Sequence, residues 1–235
     1  MANWRQPGQG PMQVVSSALG KERIHFEAPS ADRVPQEMKL FLDWFNQESP
    51  IDPVLKAAIA HLWFLTIHPF DDGNGRLARA ITEMQLARSD QSPKRFYSMS
   101  HQILTKRKGY YQILEKTQKG VLDITDWLIW FLEALKTSIL LSDTILSTVL
   151  IKADFWKTHR QTPLNKRQQT MINKLFNGFK GKLSTSKWAK MCKCSKDTAL
   201  RDIKDLEEKG ILVKEVGGGR STRYVLKVLA MNIRL

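Results

Sequence analysis

Residues 52–88 read DPVLKAAIAHLWFLTIHPFDDGNGRLARAITEMQLAR, and the fold is reasoned outward from this stretch. Asp52 before Pro53 is a helix start. The carboxylate can accept from first-turn N–H groups, and proline at the first helical position gives up no bonded N–H. Val54 to Ile67 is apolar on nearly every side, which predicts a helix buried at the centre of a domain. His68 to Gly75 is a polar loop. A second periodic run to about Arg88 predicts a helix with Leu77, Ala80, Ile81 and Met84 facing inward. Upstream, Pro35 to Gln47 spaces Met38, Phe41, Leu42 and Phe45 as one buried helical face. Lys21 to Pro29 alternates through Ile24 and Phe26, as a short strand or hairpin arm does. The first twenty residues carry weak signals. Downstream, helices are predicted over Ser100–Lys119 and Thr125 to about His159, the latter in one or two pieces. Residues 1–150 thus read as mainly α.

The chain has 235 residues, 42% of them hydrophobic, enough for a core in one large or two small domains. Cys192 and Cys194 are its only cysteines, too few for a structural zinc site or a disulfide scaffold. Reduced thiols and a polar Met1–Gly10 without leader character suggest a cytoplasmic protein. Trp127 to Ile151 is apolar but interrupted by Glu133, Lys136 and Asp143, so no membrane span is expected. Charge is divided unevenly. Residues 1–150 hold 17 Lys and Arg against 16 Asp and Glu, whereas residues 151–235 hold 20 against 7. A net +13 on the last 85 residues points to a polyanionic partner for that part. Thr158 to Asn165, containing Pro163, is the expected linker, which divides the chain into 1–157, 158–165 and 166–235.

The loop carries the chemistry. Gly73, Asn74 and Gly75 tolerate positive φ and close backbone approach, so successive N–H groups can form a concavity at a helix start, where anions bind. Arg76 and Arg79 are neighbours on the first turn of that helix. Cations there are mildly unfavourable unless an anion sits between them. Two arginines, an N–H cradle and the Asp72 carboxylate suggest a polyphosphate with Mg²⁺ held by Asp72. His68, at the loop's mouth, is placed to take a proton from a nucleophile. A calcium loop from Asp72 to Glu83 fails because Arg76 and Leu77 occupy ligand and glycine positions. The G-x-x-x-x-G-K-[ST] and G-x-G-x-x-G phosphate loops are absent.

His68–Arg79, HPFDDGNGRLAR, resembles the Fic signature H-P-F-x-[DE]-G-N-G-R-x-x-R at every specified position. The resemblance extends over roughly residues 20–150, including Tyr110-Tyr111-Gln112-Ile113-Leu114-Glu115. It implies an all-helical domain with a short β-hairpin flap. The implied activity is transfer of AMP from ATP to a Ser, Thr or Tyr hydroxyl of a target protein or of itself. His68 would be the general base and Asp72 the Mg²⁺ ligand. Gly73, Asn74 and Gly75 would form the anion cradle, with Arg76 at the β/γ end and Arg79 orienting the γ-phosphate. Tyr111 and Gln118 resemble adenine-pocket positions, although Tyr111 on its own reads more readily as plain core. Arg23, Ile24, His25 and Phe26 resemble the flap that docks a target strand; an ordinary edge hairpin has the same pattern. A kinase, another nucleotide transferase, or a nucleotide sensor without turnover are the competing activities. The family's inhibitory pattern [ST]-x-x-x-E-[GN] does not occur in the chain. An inhibitory segment or partner outside it, or an unrestrained form, would account for that, and a homodimer is compatible with the sequence.

From Lys166 the pattern becomes three short helices and a hairpin. Met171, Ile172, Leu175 and Phe179 mark the first helix, and Trp188, Ala189 and Met191 the second. Ser195 caps a third that ends at Gly210. Ala199, Ile203 and Leu206 share one face of the third helix; Asp197, Arg201 and Lys204 share the other. Strands Ile211–Val216 and Thr222–Leu226 flank Gly217-Gly218-Gly219-Arg220-Ser221. This resembles a winged helix-turn-helix, which implies DNA contacts from Lys196, Arg201 and Lys204 on the third helix and from Arg220 and Arg223 on the wing. Such folds also serve as protein-docking modules.

Overall fold

The computed structural model describes residues 4–8, 10–18, 21–92, 95–179, 181–215 and 222–232. Two compact units are distinguished, Met1–Asp143 and Thr144–Leu235. The first begins with strands β1 (Gln13–Ala18) and β2 (Lys21–Glu27), an antiparallel pair with a bulge between Val14 and Val15. A 3₁₀ turn at Ala31–Arg33 leads into α1 (Val34–Asn46), α2 (Pro53–Ile67), α3 (Asn74–Asp90), α4 (Met99–Thr105) and α5 (Arg107–Lys119). α6 (Thr125–Thr158) follows, its residues shared between the two units.

α2 is the axis of the first unit, as its sequence demands. The Asp52 carboxylate accepts from the N–H groups of Val54 and Leu55 at 2.8 and 3.2 Å, so the cap is formed. Around α2 pack Phe41 and Phe45 of α1, Ala78 and Leu86 of α3, Tyr110 and Leu114 of α5, and Trp127 and Phe131 of α6. The Trp127 indole, fully buried, donates to the Ala58 carbonyl at 2.9 Å. Aromatic rings from α1, α2, α5 and α6 thus join the core, each contributing a large apolar area.

Four expectations are corrected here. α3 turns Ala78, Thr82, Gln85 and Leu86 inward, while Leu77, Ala80 and Met84 are exposed and Ile81 is half-buried. Polar residues take the inner stripe because each finds a partner: Thr82 donates to Ala78 O and contacts His61, and Gln85 reaches the Pro53 carbonyl. Leu42 of α1 is likewise exposed, Val34 taking its place in the buried set. The helix expected over 100–119 is broken at Lys106 (φ −99°, ψ 30°) into α4 and α5. By length and composition α6 is apolar enough to cross a membrane, despite its interrupting charges. That composition is equally one of a core helix, and Trp127, Phe131, Ala134 and Leu135 of its first turns lie in the core.

The second unit contains α7 (Lys166–Phe176), α8 (Thr185–Cys192), α9 (Lys196–Glu208), β3 (Leu212–Lys214), β4 (Tyr224–Leu226) and α10 (Lys227–Asn232). Three helices followed by an antiparallel hairpin is the winged-helix order the sequence predicts; α10 was not anticipated. Met171, Ile172, Trp188, Ile203, Leu206, Leu212 and Leu226 form its core, and Phe179 lies beyond the end of α7. Ser195 caps α9 through the Thr198 N–H at 3.1 Å. Asp202, buried on α9, is held in a two-pronged contact by Arg167 at 2.7 and 3.0 Å, which fixes α7 against α9.

Candidate active site

α2 ends at a residue in a strained conformation. His68 has φ 49° and ψ 59°, left-handed values that cost a non-glycine residue roughly 1–3 kcal/mol. Gly73, at φ 88°, begins α3. The turn between these two positions presents the loop at the junction of α2 and α3. Of the three residues expected to supply conformational freedom, only Gly73 uses it; Asn74 and Gly75 are helical.

Asn74 is almost fully buried and clamps the loop. Its amide nitrogen donates to the Phe70 carbonyl at 2.7 Å, and its amide oxygen accepts from the Phe70 N–H at 3.1 Å. The side chain is thus engaged with backbone. What Asn74 offers an anion is its main-chain N–H. The N–H groups of Arg76 and Leu77 bond to Gly73 O, whereas those of Asn74 and Gly75 have no acceptor among the described residues. Arg79 Nη1 lies 3.8 Å from where a Cβ on Gly75 would stand, so the guanidinium folds back over the first turn of α3. Asp72, Arg76 and Arg79 form no ion pair among the described residues. They surround one open cavity of about 830 Å³, a size suited to a small ligand.

His68 lines that cavity and is half-buried. Burial pulls its pKa below the ordinary 6.5, with a smaller push in the same direction from Arg5; the Leu65 carbonyl opposes both. That carbonyl lies 3.3 Å from Nδ1 and only accepts, so Nδ1 carries the proton and Nε2 keeps a lone pair. The ring is therefore a neutral base at pH 7 with a defined basic nitrogen.

Tyr111 and Gln118 of α5 line the same cavity. Tyr111 is half exposed rather than core, with Arg107 stacked over its ring at 5.6 Å; Gln118 is tied to Thr66 Oγ1 at 3.3 Å. Sequence reasoning missed Arg107. It also missed the buried network behind the site. Thr82 donates to Ala78 O, so His61 Nδ1 donates to Thr82 Oγ1 and His61 Nε2 accepts from Tyr110 OH, each at 2.8 Å. Complete burial pushes His61 down to about 3 and keeps it neutral, joining α2, α3 and α5 without a charge.

The hairpin closes one side of the cavity. Val14, Val15, Ser16, His25 and Phe26 contribute to its lining. Arg23 and His25 Nδ1 meet the Glu115 carboxylate at 2.8 and 2.7 Å, and Lys119 meets it at 2.9 Å. These three contacts, led by His25, hold Glu115 down at about 2, so it stays ionised. Ile24 is exposed, and its carbonyl accepts from Lys119 at 3.2 Å. Phe26 is buried and anchors the hairpin; it is not part of an exposed docking edge.

In the second unit Lys196, Arg201 and Lys204 are exposed on α9 and Arg223, just before β4, is half-buried. None of the four is in an ion pair among the described residues. Arg220 and the wing tip lie outside the described residues.

Two family models match separate stretches of the chain. Residues 4–86 match the Fic/DOC family, and residues 176–227 match the family described as transcriptional regulator DIP2311-like, C-terminal domain. The chain is 43% identical over 70 residues to a protein adenylyltransferase of Caenorhabditis elegans, covering 29% of this chain and 14% of that one. It is 32% identical over 98 residues to a probable protein adenylyltransferase of Aquifex aeolicus, covering 40% and 31%. The chain therefore spans less than a third of the length of these relatives. A solved Fic family protein from Desulfovibrio desulfuricans superposes with a TM-score of 0.48 at 22% identity, over 96% of this chain and 62% of that one. On its complete signature loop and the family match, residues 4–86 carry a Fic/DOC domain, and the chain continues into a C-terminal region similar to that of a transcriptional regulator.

Proposed function

We propose that the first unit transfers AMP from Mg-ATP to a hydroxyl of a protein substrate, a target or the protein itself. One observation carries the reading. A neutral histidine with a free Nε2, two N–H groups at a helix start, and Asp72, Arg76 and Arg79, all without partners among the described residues, line the same cavity. Two arginines and a helix start suit the phosphates of ATP. Tyr111 and Gln118 are positioned to flank the base. The hydroxyl oxygen attacks Pα, the bond from Pα to the pyrophosphate oxygen breaks, and the hydroxyl proton passes to His68 Nε2. Arg76 and Arg79 offset charge on the departing pyrophosphate, and the rigid loop keeps the attack in line.

Mg²⁺ is commonly held by one or two carboxylates and by the substrate's own phosphates, which suits Asp72, one of the acids lining the cavity; no cluster of three metal-ligating side chains occurs among the described residues. Asp72 would hold it. When bound it would neutralise phosphate charge. A protein substrate's hydroxyl would arrive on the hairpin side, a reading supported by Ser16 and His25 beside the cavity.

The test is a transfer assay with ATP labelled at either the α- or the γ-phosphate. Label from the α-position alone is expected. Label from the γ-position would mean a kinase, and no label with ATP still bound would mean a sensor.

The second unit is proposed to bind duplex DNA, its +13 charge and the exposed face of α9 being the supporting features. Substituting Arg201→Ala with Lys204→Ala should weaken binding. It should also flatten the slope of log K against log salt by about 2, as loss of two phosphate contacts would. Fluorescence anisotropy across a salt series measures both. An unchanged slope would favour a protein-docking role.

A further inference from the structure

We infer that Arg5 is a positioning residue for His68: its guanidinium, seated beneath the loop, holds the backbone from which the imidazole projects. The inference rests on the reading of His68 as the base. Arg5 is only 5% exposed. Its Nε donates to the His68 carbonyl at 2.7 Å, and its Nη2 donates to Pro29 O at 2.7 Å and Ile67 O at 3.3 Å. Its own backbone N–H donates to the Pro69 carbonyl at 2.9 Å. Three successive carbonyls, of Ile67, His68 and Pro69, are thus bonded to one residue more than sixty positions earlier.

A buried guanidinium without a carboxylate partner is ordinarily unfavourable. No acid is in ion-pair contact with Arg5 among the described residues. Burial lowers its pKa, and the nearby Asp71 offsets that only in part. The compensating partner is the C-terminus of α2. Helix-end carbonyls lack intrahelical donors and carry partial negative charge, so a cation with a planar fork of donors satisfies both needs. The same contacts pin the left-handed turn at His68 and tie it to Pro29 at the exit of the hairpin. Arg5 itself does not line the cavity, so its influence on the reaction passes through His68.

The test compares wild-type protein, Arg5→Ala and Arg5→Lys in AMP transfer over a series of Mg-ATP concentrations reaching saturation, with and without added millimolar guanidinium ion. Hydrogen exchange of each protein without nucleotide runs alongside. Arg5→Ala should lower kcat by roughly ten- to a hundredfold, as small misplacements of catalytic groups do, with KM for ATP within about twofold. Guanidinium should restore part of the rate. Arg5→Lys, which keeps the charge but loses the planar fork of donors, should fall between. Exchange should quicken at the amides of 68 and 70–73 and stay unchanged in α5. A folded Arg5→Ala protein with kcat within twofold of wild type, or a loss appearing in KM rather than kcat, overturns the inference. Should Arg5→Ala fail to fold, Arg5→Lys carries the test, and a wild-type kcat overturns it. Should the wild-type protein transfer no AMP, the reaction reading fails and exchange decides alone. Quickening confined to the loop then supports the role of Arg5, and unchanged exchange overturns it.

Discussion

Replacing His68 by alanine is expected to abolish AMP transfer, lowering kcat by about 10²- to 10⁴-fold while ATP affinity changes less than about twofold. The asymmetry follows from the site. The groups proposed to bind phosphate belong to α3 and the loop before it, and His68 ends α2, its ring held by Leu65 O rather than by any of them. Isothermal titration with ATP and a single-turnover transfer assay separate binding from chemistry; a retained rate would remove His68 from the mechanism. The pH dependence checks the same role. Burial lowers the His68 pKa, so the neutral, basic form persists to a lower pH than a free imidazole would allow. The acid limb of kcat/KM should therefore lie below pH 6.5, with activity lost as the pH falls through it. The alkaline side should show no loss from this residue.

Asp72→Ala is expected to remove Mg²⁺-dependent transfer, on the order of 10³-fold, as loss of several kcal/mol of charge stabilisation would. Asp72 is exposed and makes no ion pair among the described residues, so stability should change by less than about 0.5 kcal/mol. A thermal melt alongside a magnesium titration distinguishes these effects. An unaltered magnesium response would move the metal ligand elsewhere. Asn74→Ala would be a different kind of change, because it releases the clamp on Phe70 and disturbs the loop itself.

The chemistry of the loop was legible because it is contiguous. His68, Asp72, Gly73, Asn74, Gly75, Arg76 and Arg79 fall within twelve residues, and two strong helices on either side fix where that segment sits. Asp52-Pro53 and Ser195 announced their helices for the same local reason: a cap bonds to N–H groups only two or three residues away. The uneven charge, +13 on the last 85 residues, also needs no coordinates.

Tertiary structure decided what depends on distant partners. The inner face of α3 was misread because Thr82 and Gln85 look solvent-exposed by type; they are buried because His61 and the Pro53 carbonyl await them from another helix. Tyr111 could be placed at a cavity wall rather than in the core only once α5 stood opposite the loop. Glu115, which fastens the hairpin some ninety residues upstream, and Arg5, which grips the end of α2 from before the hairpin, leave no periodic trace. A sequence pattern records how a residue suits its own turn or strand. Whether a buried charge or hydroxyl is satisfied depends on carbonyls and side chains brought to it by packing, and only the folded chain supplies those.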